Sequence, residues 1–160
     1  MLRPCQPSDA KQICAIYNHY VRDTVVTFEE EPVADQEMAQ RIADVTQRQP
    51  WLVLEQDDAI QGYAYATAWK TRSAYRHSVE STVYLAPSAT GRGLGTRLYE
   101  ALIAELRERD VHCVVGGIAL PNAASVALHE KLGFQPIGRF SEIGRKFGQW
   151  VDVGYWQRVL

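Results

Sequence analysis

The chain has 160 residues, 46% of them apolar, which is enough to bury one sizeable core and too little for two ordinary domains. Its 17 basic and 19 acidic residues give a formal charge of -2 and are spread along the sequence, so no basic field exists to gather nucleic acid or an anionic membrane. Cys5, Cys14 and Cys113 are odd in number and lack CxxC spacing, which argues against a disulfide framework and a zinc cluster and for three reduced thiols. The start, MLRPCQPSDAKQ, has no apolar targeting segment, and the longest apolar run, VVGGIAL, falls far short of the ~20 residues a membrane span needs. The expectation is a cytoplasmic protein, a single domain over residues 1–160.

In chain order, the short extended LRP precedes a helix that Ser8 or Asp9 can cap, with Ile13, Ile16, Tyr17, Tyr20 and Val21 at helical spacing and a stop near Asp23. A more polar helix is predicted from about Asp35 to Thr46. WLVLEQ and GYAYATAW, separated by DDAIQ, read as a hairpin, and SVESTVYLAP supplies a third strand. A glycine loop then opens a helix with Leu98, Tyr99, Leu102, Ile103 and Leu106 on one side, followed by the strand CVVGGIAL. A short helix begins at an Asn122 cap and ends where Gly133 takes the left-handed position after the last turn, with Phe134 as its apolar contact. Strands around PIGRF and WVDVGYWQRV complete the pattern. The fold class is α/β (α+β): a mixed, mostly antiparallel sheet of six or seven strands flanked by about four helices.

The loop itself, GRGLG at Gly91–Gly95, precedes a helix N-terminus, where free N–H groups and the helix dipole attract an anion and glycines let the backbone approach it. Gly95 is followed by Thr96 and Arg97, so no Walker lysine is present, and the spacing Gly91, Gly93, Gly95 does not fit the dinucleotide fingerprint GxGxxG. A pyrophosphate cradle of another kind and a plain tight turn both remain compatible with the residues alone.

VYLAPSATGRGLGTRLYEAL, followed by LPNAASVALHEKLGF, resembles the GNAT superfamily of acetyl-CoA-dependent N-acetyltransferases. TFEEEP (Thr27 to Pro32), WKTRSAYRHSVESTVYL and WVDVGYWQ are similar to its phosphinothricin branch, which includes enzymes acting on methionine sulfoximine and methionine sulfone. The resemblance covers nearly the whole chain. It implies acetyl-CoA as co-substrate, bound by Val83, Tyr84 and Leu85 of the strand, by Thr90, Gly91, Arg92, Gly93, Leu94, Gly95 and Thr96 of the loop, and by Asn122 and Ser125 along the pantetheine arm. The superfamily loop commonly opens on Gln or Arg where this chain has Thr90. In the family a bulge splays the VYL strand from its neighbour and frees backbone for the acetyl carbonyl.

Acetylation of an amine needs a base for the ammonium, a donor for the developing oxyanion and a means of accommodating the thiolate. Glu80 lies inside a strand, where partial burial would raise its pKa; it is the candidate base, against the alternatives of an edge-strand residue or an ion pair with Arg72 or Arg76. On the helix after Asn122, residues advance by about 100°, so Asn122, Ser125 and His129 share one stripe and Ala124, Leu128 and Leu132 another, directed at the core. His129 stands where the resemblance implies an acid or a hydrogen-bond partner of the site, the alternative being a surface histidine. For an amino acid acceptor, Arg72, Ser73, Tyr75 and Arg76 form a polar, basic loop able to grip a carboxylate, Phe28 offers an apolar wall, and Glu29 could attract the ammonium. His19, His77 and His112 have no ligand spacing and no metal is expected. The four tryptophans and the family habit point to a homodimer. The functions open at this stage are a small-molecule N-acetyltransferase, a peptide or protein acetyltransferase, and a silent acetyl-CoA-binding module.

Overall fold

The computed structural model describes all residues, 1–160, as seven strands and four α-helices. The strands are β1 (Leu2–Pro4), β2 (Trp51–Gln56), β3 (Ala59–Ala68), β4 (Ser78–Leu85), β5 (Cys113–Leu120), β6 (Gln135–Lys146) and β7 (Gln149–Val159). The helices are α1 (Ala10–Asp23), α2 (Asp35–Thr46), α3 (Leu94–Glu108) and α4 (Ala123–Lys131). One sheet runs in the order β1-β2-β3-β4-β5-β7-β6, antiparallel throughout except for β4 and β5.

Both faces of the sheet are covered, which explains why β2 reads as continuous apolar sequence rather than as an alternation. Leu52 and Leu54 join Leu98, Leu102 and Leu106 of α3 in one core, while Trp51 and Val53 join Ile13, Tyr17 and Val21 of α1 and Met38 and Ile42 of α2 in the other. No helix is long and apolar enough to cross a membrane.

Several details depart from expectation. Asp9 does not cap α1 with its side chain; its carboxylate accepts from Gln6 N at 2.9 Å and is gripped by both terminal nitrogens of Arg3 at 2.8 and 2.9 Å, tying β1 to the helix start. DDAIQ is not a five-residue loop. Asp57 and Asp58 both adopt positive φ, 50° and 58°, which makes a two-residue hairpin turn, and the strand resumes at once with Gln61 bulged between Ile60 and Gly62. β6 runs beyond PIGRF to Lys146, because three residues, Ser141, Glu142 and Ile143, stand opposite Asp152 alone and the ladder then resumes. Of the aromatics in WVDVGYWQ, Trp156 is buried, whereas Trp150 is 61% exposed.

The end of α4 follows the expected pattern. Gly133 has φ 81°, its N–H bonds Glu130 O, and Phe134 N–H bonds His129 O at 3.0 Å. Leu98 is wholly buried where α3 meets the sheet. Leu98→Ala is expected to cost about 2–5 kcal/mol by lost burial and a residual cavity, read as a lowered urea midpoint with an unchanged slope.

Candidate functional site

The site is made by two strands that part. β4 and β5 pair in parallel over three positions only, Ser78 with Cys113, Val79 with Val114 and Glu80 with Val115; beyond Glu80, β5 stays with β7 and β4 stays with β3. No register shift occurs between β3 and β4, so the splay arises without a bulge in the VYL strand itself.

The register decides which backbone groups face the gap. Trp69 N–H bonds Ser78 O and Ala86 N–H bonds Gln61 O, so Ser78, Glu80, Thr82 and Tyr84 of β4, and Ala86 just beyond it, turn their backbone groups toward β3. Ser81, Val83 and Leu85 turn their N–H and C=O groups the other way. The Leu85 carbonyl accepts from Tyr20 Oη at 2.6 Å. The Val83 N–H and C=O and the Leu85 N–H are left facing the opening, whereas the backbone of Tyr84 is committed to β3.

At one end of the opening lies the glycine loop. Gly91 and Gly93 have φ of 72° and 75°, values that a side chain strains, and Gly93 is the cap of α3. None of the backbone N–H groups of Gly91, Arg92, Gly93, Leu94, Gly95 and Thr96 meets a protein acceptor; the first bond past them is Arg97 N–H to Gly93 O. Gly91, Gly93, Gly95 and Thr96 line a groove of about 440 Å³ whose walls are Val83, Tyr84 and Leu85 on one side and Asn122, Ser125 and Leu128 on the other. Unpaired N–H groups at a helix N-terminus suit a phosphate-bearing ligand. Two expected loop residues act differently from their neighbours: the Leu94 side chain is in the core, and Arg92 turns out of the groove toward Gln56 Oε1 at 3.2 Å. Thr90 lines the groove, its hydroxyl on Pro87 O at 3.0 Å. Lys131, not foreseen from the sequence, brings its ammonium to 3.5 Å from Thr96 Oγ1 at the loop.

At the other end lies Glu80, in a cavity of about 240 Å³ shared with Phe28, Val83, Asn122, Ser125 and His129. The carboxylate is half-buried, makes no ion pair with Arg72 or Arg76, and is raised above the ordinary carboxylate range by loss of hydration, which the charge of Lys70 partly opposes. A Cβ placed on Gly117 would lie 3.3 Å from Glu80 Oε1 and 3.2 Å from the Tyr155 ring, so Tyr155 stands beside the carboxylate.

Leu132 and Leu128 pack on the core as expected of α4, but His129 faces inward as well. It is 4% exposed and is the buried residue of the helix, while Ala124 is exposed and Leu128 lines the loop groove. Its Nδ1 lies 2.7 Å from Ser125 O and must donate to that carbonyl; Nε2, 3.0 Å from Tyr99 Oη, then accepts from the tyrosine. Tyr99 in turn accepts from Ser81 Oγ. Burial lowers the His129 pKa, the Ser125 carbonyl opposing, in keeping with a neutral ring. Helical spacing makes Tyr99 a core residue, as it is, but nothing in that spacing separates a buried apolar ring from one with a hydroxyl in a polar chain.

The remaining acceptor-side residues divide. Tyr75 lines a separate cavity of about 500 Å³ with Trp69, Cys113, Phe140 and Tyr155, and the Arg72 guanidinium lies 5.6 Å over the Tyr75 ring. Ser73 and Arg76 are exposed, line neither cavity and bond each other, Arg76 Nη1 to Ser73 O at 3.2 Å. Phe28 lines the Glu80 cavity, but Glu29 does not. Its carboxylate is held by Arg41 at 2.6 and 2.9 Å and by the Tyr17 hydroxyl, and Arg41 keeps it below its ordinary pKa.

Residues 2–154 match the Acetyltransferase (GNAT) domain family. The chain is 41% identical to a phosphinothricin N-acetyltransferase of Streptomyces viridochromogenes, over 98% of this chain and 86% of that protein. It is 37% identical to an L-methionine sulfoximine/L-methionine sulfone acetyltransferase of Pseudomonas aeruginosa, over 99% and 94%. Among solved structures, a GNAT superfamily phosphinothricin acetyltransferase from Sinorhizobium meliloti in complex with AcCoA superimposes with a TM-score of 0.96 at 36% identity, covering 100% of this chain and 88% of that one. With its parted strands, glycine loop and sequence in agreement over nearly the whole length, the chain belongs to the GNAT acetyltransferase family.

Proposed function

We propose that the protein transfers the acetyl group of acetyl-CoA to the amino group of a small amino-acid-like acceptor of the phosphinothricin, methionine sulfoximine or methionine sulfone type. The observation that carries this is a desolvated carboxylate without an ion-pair partner, Glu80, at one end of an opening whose other end is lined by Gly91, Gly93, Gly95 and Thr96 with their backbone N–H groups unpaired.

Acetyl-CoA supplies an activated acyl thioester. The loop N–H groups, with Lys131 beside them, suit its pyrophosphate, and the groove between Val83 and Asn122 suits its extended arm. Glu80 accepts a proton from the acceptor's ammonium, directly or through a water, which its raised pKa favours near neutrality. The Val83 or Leu85 N–H, fixed by the β3 ladder, can donate to an acyl oxygen without rearrangement. His129 is a hydrogen-bond partner in this scheme: its two nitrogens are engaged by Ser125 and Tyr99, so it holds α4 and the Ser81–Tyr99 pair in place rather than supplying a proton. The apolar cavity beside Tyr155, with Arg72 over Tyr75 at its edge, suits an acceptor's side chain and carboxylate. Three free thiols fit a reducing cytoplasm.

The same face supports a homodimer. β6 is a twelve-residue edge strand, and Ile137, Phe140, Ile143, Phe147 and Trp150 on the β6–β7 hairpin are each more than half exposed. An apolar edge of that length invites pairing, and a second copy is the covering partner we assign. Light scattering is expected to give twice the chain mass, and Ile143→Glu with Trp150→Glu to shift the protein toward monomer.

Glu80→Gln should lower kcat/KM for the amine by roughly 10²- to 10⁴-fold and abolish the acidic limb of its pH profile, while acetyl-CoA binding stays near wild type. Thiol release from acetyl-CoA, followed with a panel of amino acid analogues and short peptides, checks both the chemistry and the acceptor class. No turnover with any free amino acid analogue would remove the small-molecule reading.

For His129, the folded-state pKa is depressed, so the unfolded chain binds the proton first and stability is lost as pH falls below the ordinary value of about 6.5. Urea unfolding should show a steeper loss between pH 7 and 5 in wild type than in His129→Asn. The alkaline limb of kcat should survive in His129→Phe.

A further inference from the structure

Lys146, near the end of β6, is 2% exposed, yet no carboxylate lies within ion-pair distance of it. Its ammonium donates to Thr27 O at 2.8 Å and, at the outer limit of bonding, to Tyr20 O at 3.5 Å. Glu29 and Glu30 act on it only through space. A buried ammonium held by two carbonyls is costly where an apolar chain would fill the same volume. What the arrangement secures is the loop after α1: Val26, Thr27 and Phe28 of that loop are one wall of the Glu80 cavity.

A second contact from the same strand acts on the same wall. A Cβ on Gly144 would stand 2.3 Å from Phe28 Cε2, so the bare β6 backbone is the surface on which the Phe28 ring rests. β6 reaches that place because of its bulge. Asp152 accepts from the Glu142 N–H at 2.7 Å and from Arg139 Nε at 2.8 Å, Glu142 takes φ 52°, and the strand beyond resumes pairing at Gly144. This gives Asp152 of WVDVGYWQ a task that the chemistry of the cleft leaves unassigned.

We propose that Lys146 is a positioning residue for the acceptor side of the cleft and that Gly144 sets its size: together they fix the Phe28 wall opposite Glu80 and determine which acceptor side chains are accepted. The inference rests on the acetyltransferase reading of the cleft. Lys146 touches no reacting atom in this scheme; it acts through Thr27 and Phe28.

The experiment uses the full-length protein and four variants, Lys146→Met, Lys146→Arg, Gly144→Ala and Gly144→Ala combined with Phe28→Ala. Phosphinothricin, methionine sulfone and smaller amino acids serve as acceptors, and amide hydrogen exchange is followed over residues 24–30. Lys146→Met is expected to raise the acceptor KM about tenfold while the acetyl-CoA KM moves less than about twofold, with most of the loss recovered in Lys146→Arg. Exchange over residues 24–30 should quicken in Lys146→Met without a change at α3. Gly144→Ala should alter the ratio of kcat/KM between small and large acceptors at least about fivefold, and adding Phe28→Ala should cancel that change, since the two residues act through one contact. Unmoved acceptor KM and unmoved exchange in Lys146→Met would overturn the inference, as would an equal loss for both substrates. A wild-type protein that acetylates no amine would overturn the proposed function instead, and the exchange experiment would still decide the clamp.

Discussion

Three residue pairs hold β4 to β5, and the site depends on their number. A longer parallel ladder would satisfy the N–H and C=O groups of Val83 and Leu85 and leave no opening; a shorter one would not hold Glu80 beside Val115. The break is stable because each strand has another partner: β4 is paired along its whole length with β3, and β5 along its whole length with β7. Backbone groups exposed by the break then face a groove, where a ligand or water can satisfy them, rather than an apolar interior where their desolvation would be unfavourable.

The helices adjacent to the break extend this logic to charge. The glycine loop and the first residues of α3 together carry six N–H groups and no acceptors, a region of positive potential. Glu80, at the opposite end, is deprived of water without being given a cation at contact distance. His129 between them is kept neutral by burial, against the pull of the Ser125 carbonyl, while Ser125 and Tyr99 engage both its nitrogens. The opening thus carries an anion site at one end and a proton acceptor at the other, with an uncharged stretch between them, a distribution suited to a long ligand with phosphate at one terminus and a reactive carbonyl at the other.

Much of the frame was legible in the chain. β2, β5 and α2 lie where pattern placed them, because uninterrupted apolar runs and an amphipathic segment are local signals. The position of the glycine loop, the partial burial of Glu80 and the Asn122 cap were legible too, the last seen in Asn122 Oδ1 accepting from Ser125 N–H at 3.1 Å. What local pattern could not supply was direction. His129 reads as part of a polar stripe facing away from the core, yet it faces inward because Tyr99 and Ser81, from α3 and β4, offer it partners that only the folded chain brings together. Glu29 reads as a free carboxylate until Arg41, twelve residues away on α2, closes on it. The full length of β6 was hidden for a similar reason: SEIGRK has no alternation, since three of its residues belong to a bulge defined by Asp152 on another strand.

The β6–β7 hairpin joins the Phe28 wall of the cleft to an exposed apolar surface. Phe140 lines the cavity beside Tyr155 and is itself 55% exposed; Gly144 and Lys146, a few residues on, hold Phe28 and Thr27. A strand with one side on the loop after α1 and much of the other bare has few buried side chains of its own and is held chiefly by its ladder with β7. Covering Ile137, Phe140 and Ile143 would restrict the hairpin, and through Lys146 the restriction would pass to the wall opposite Glu80. The glycine loop, fixed by α3 and its core of Leu98, Leu102 and Leu106, has no such dependence. The two ends of the cleft therefore differ in what supports them: the glycine-loop end rests on the interior of the fold, and the Phe28 wall on an edge strand whose outer surface is apolar and exposed.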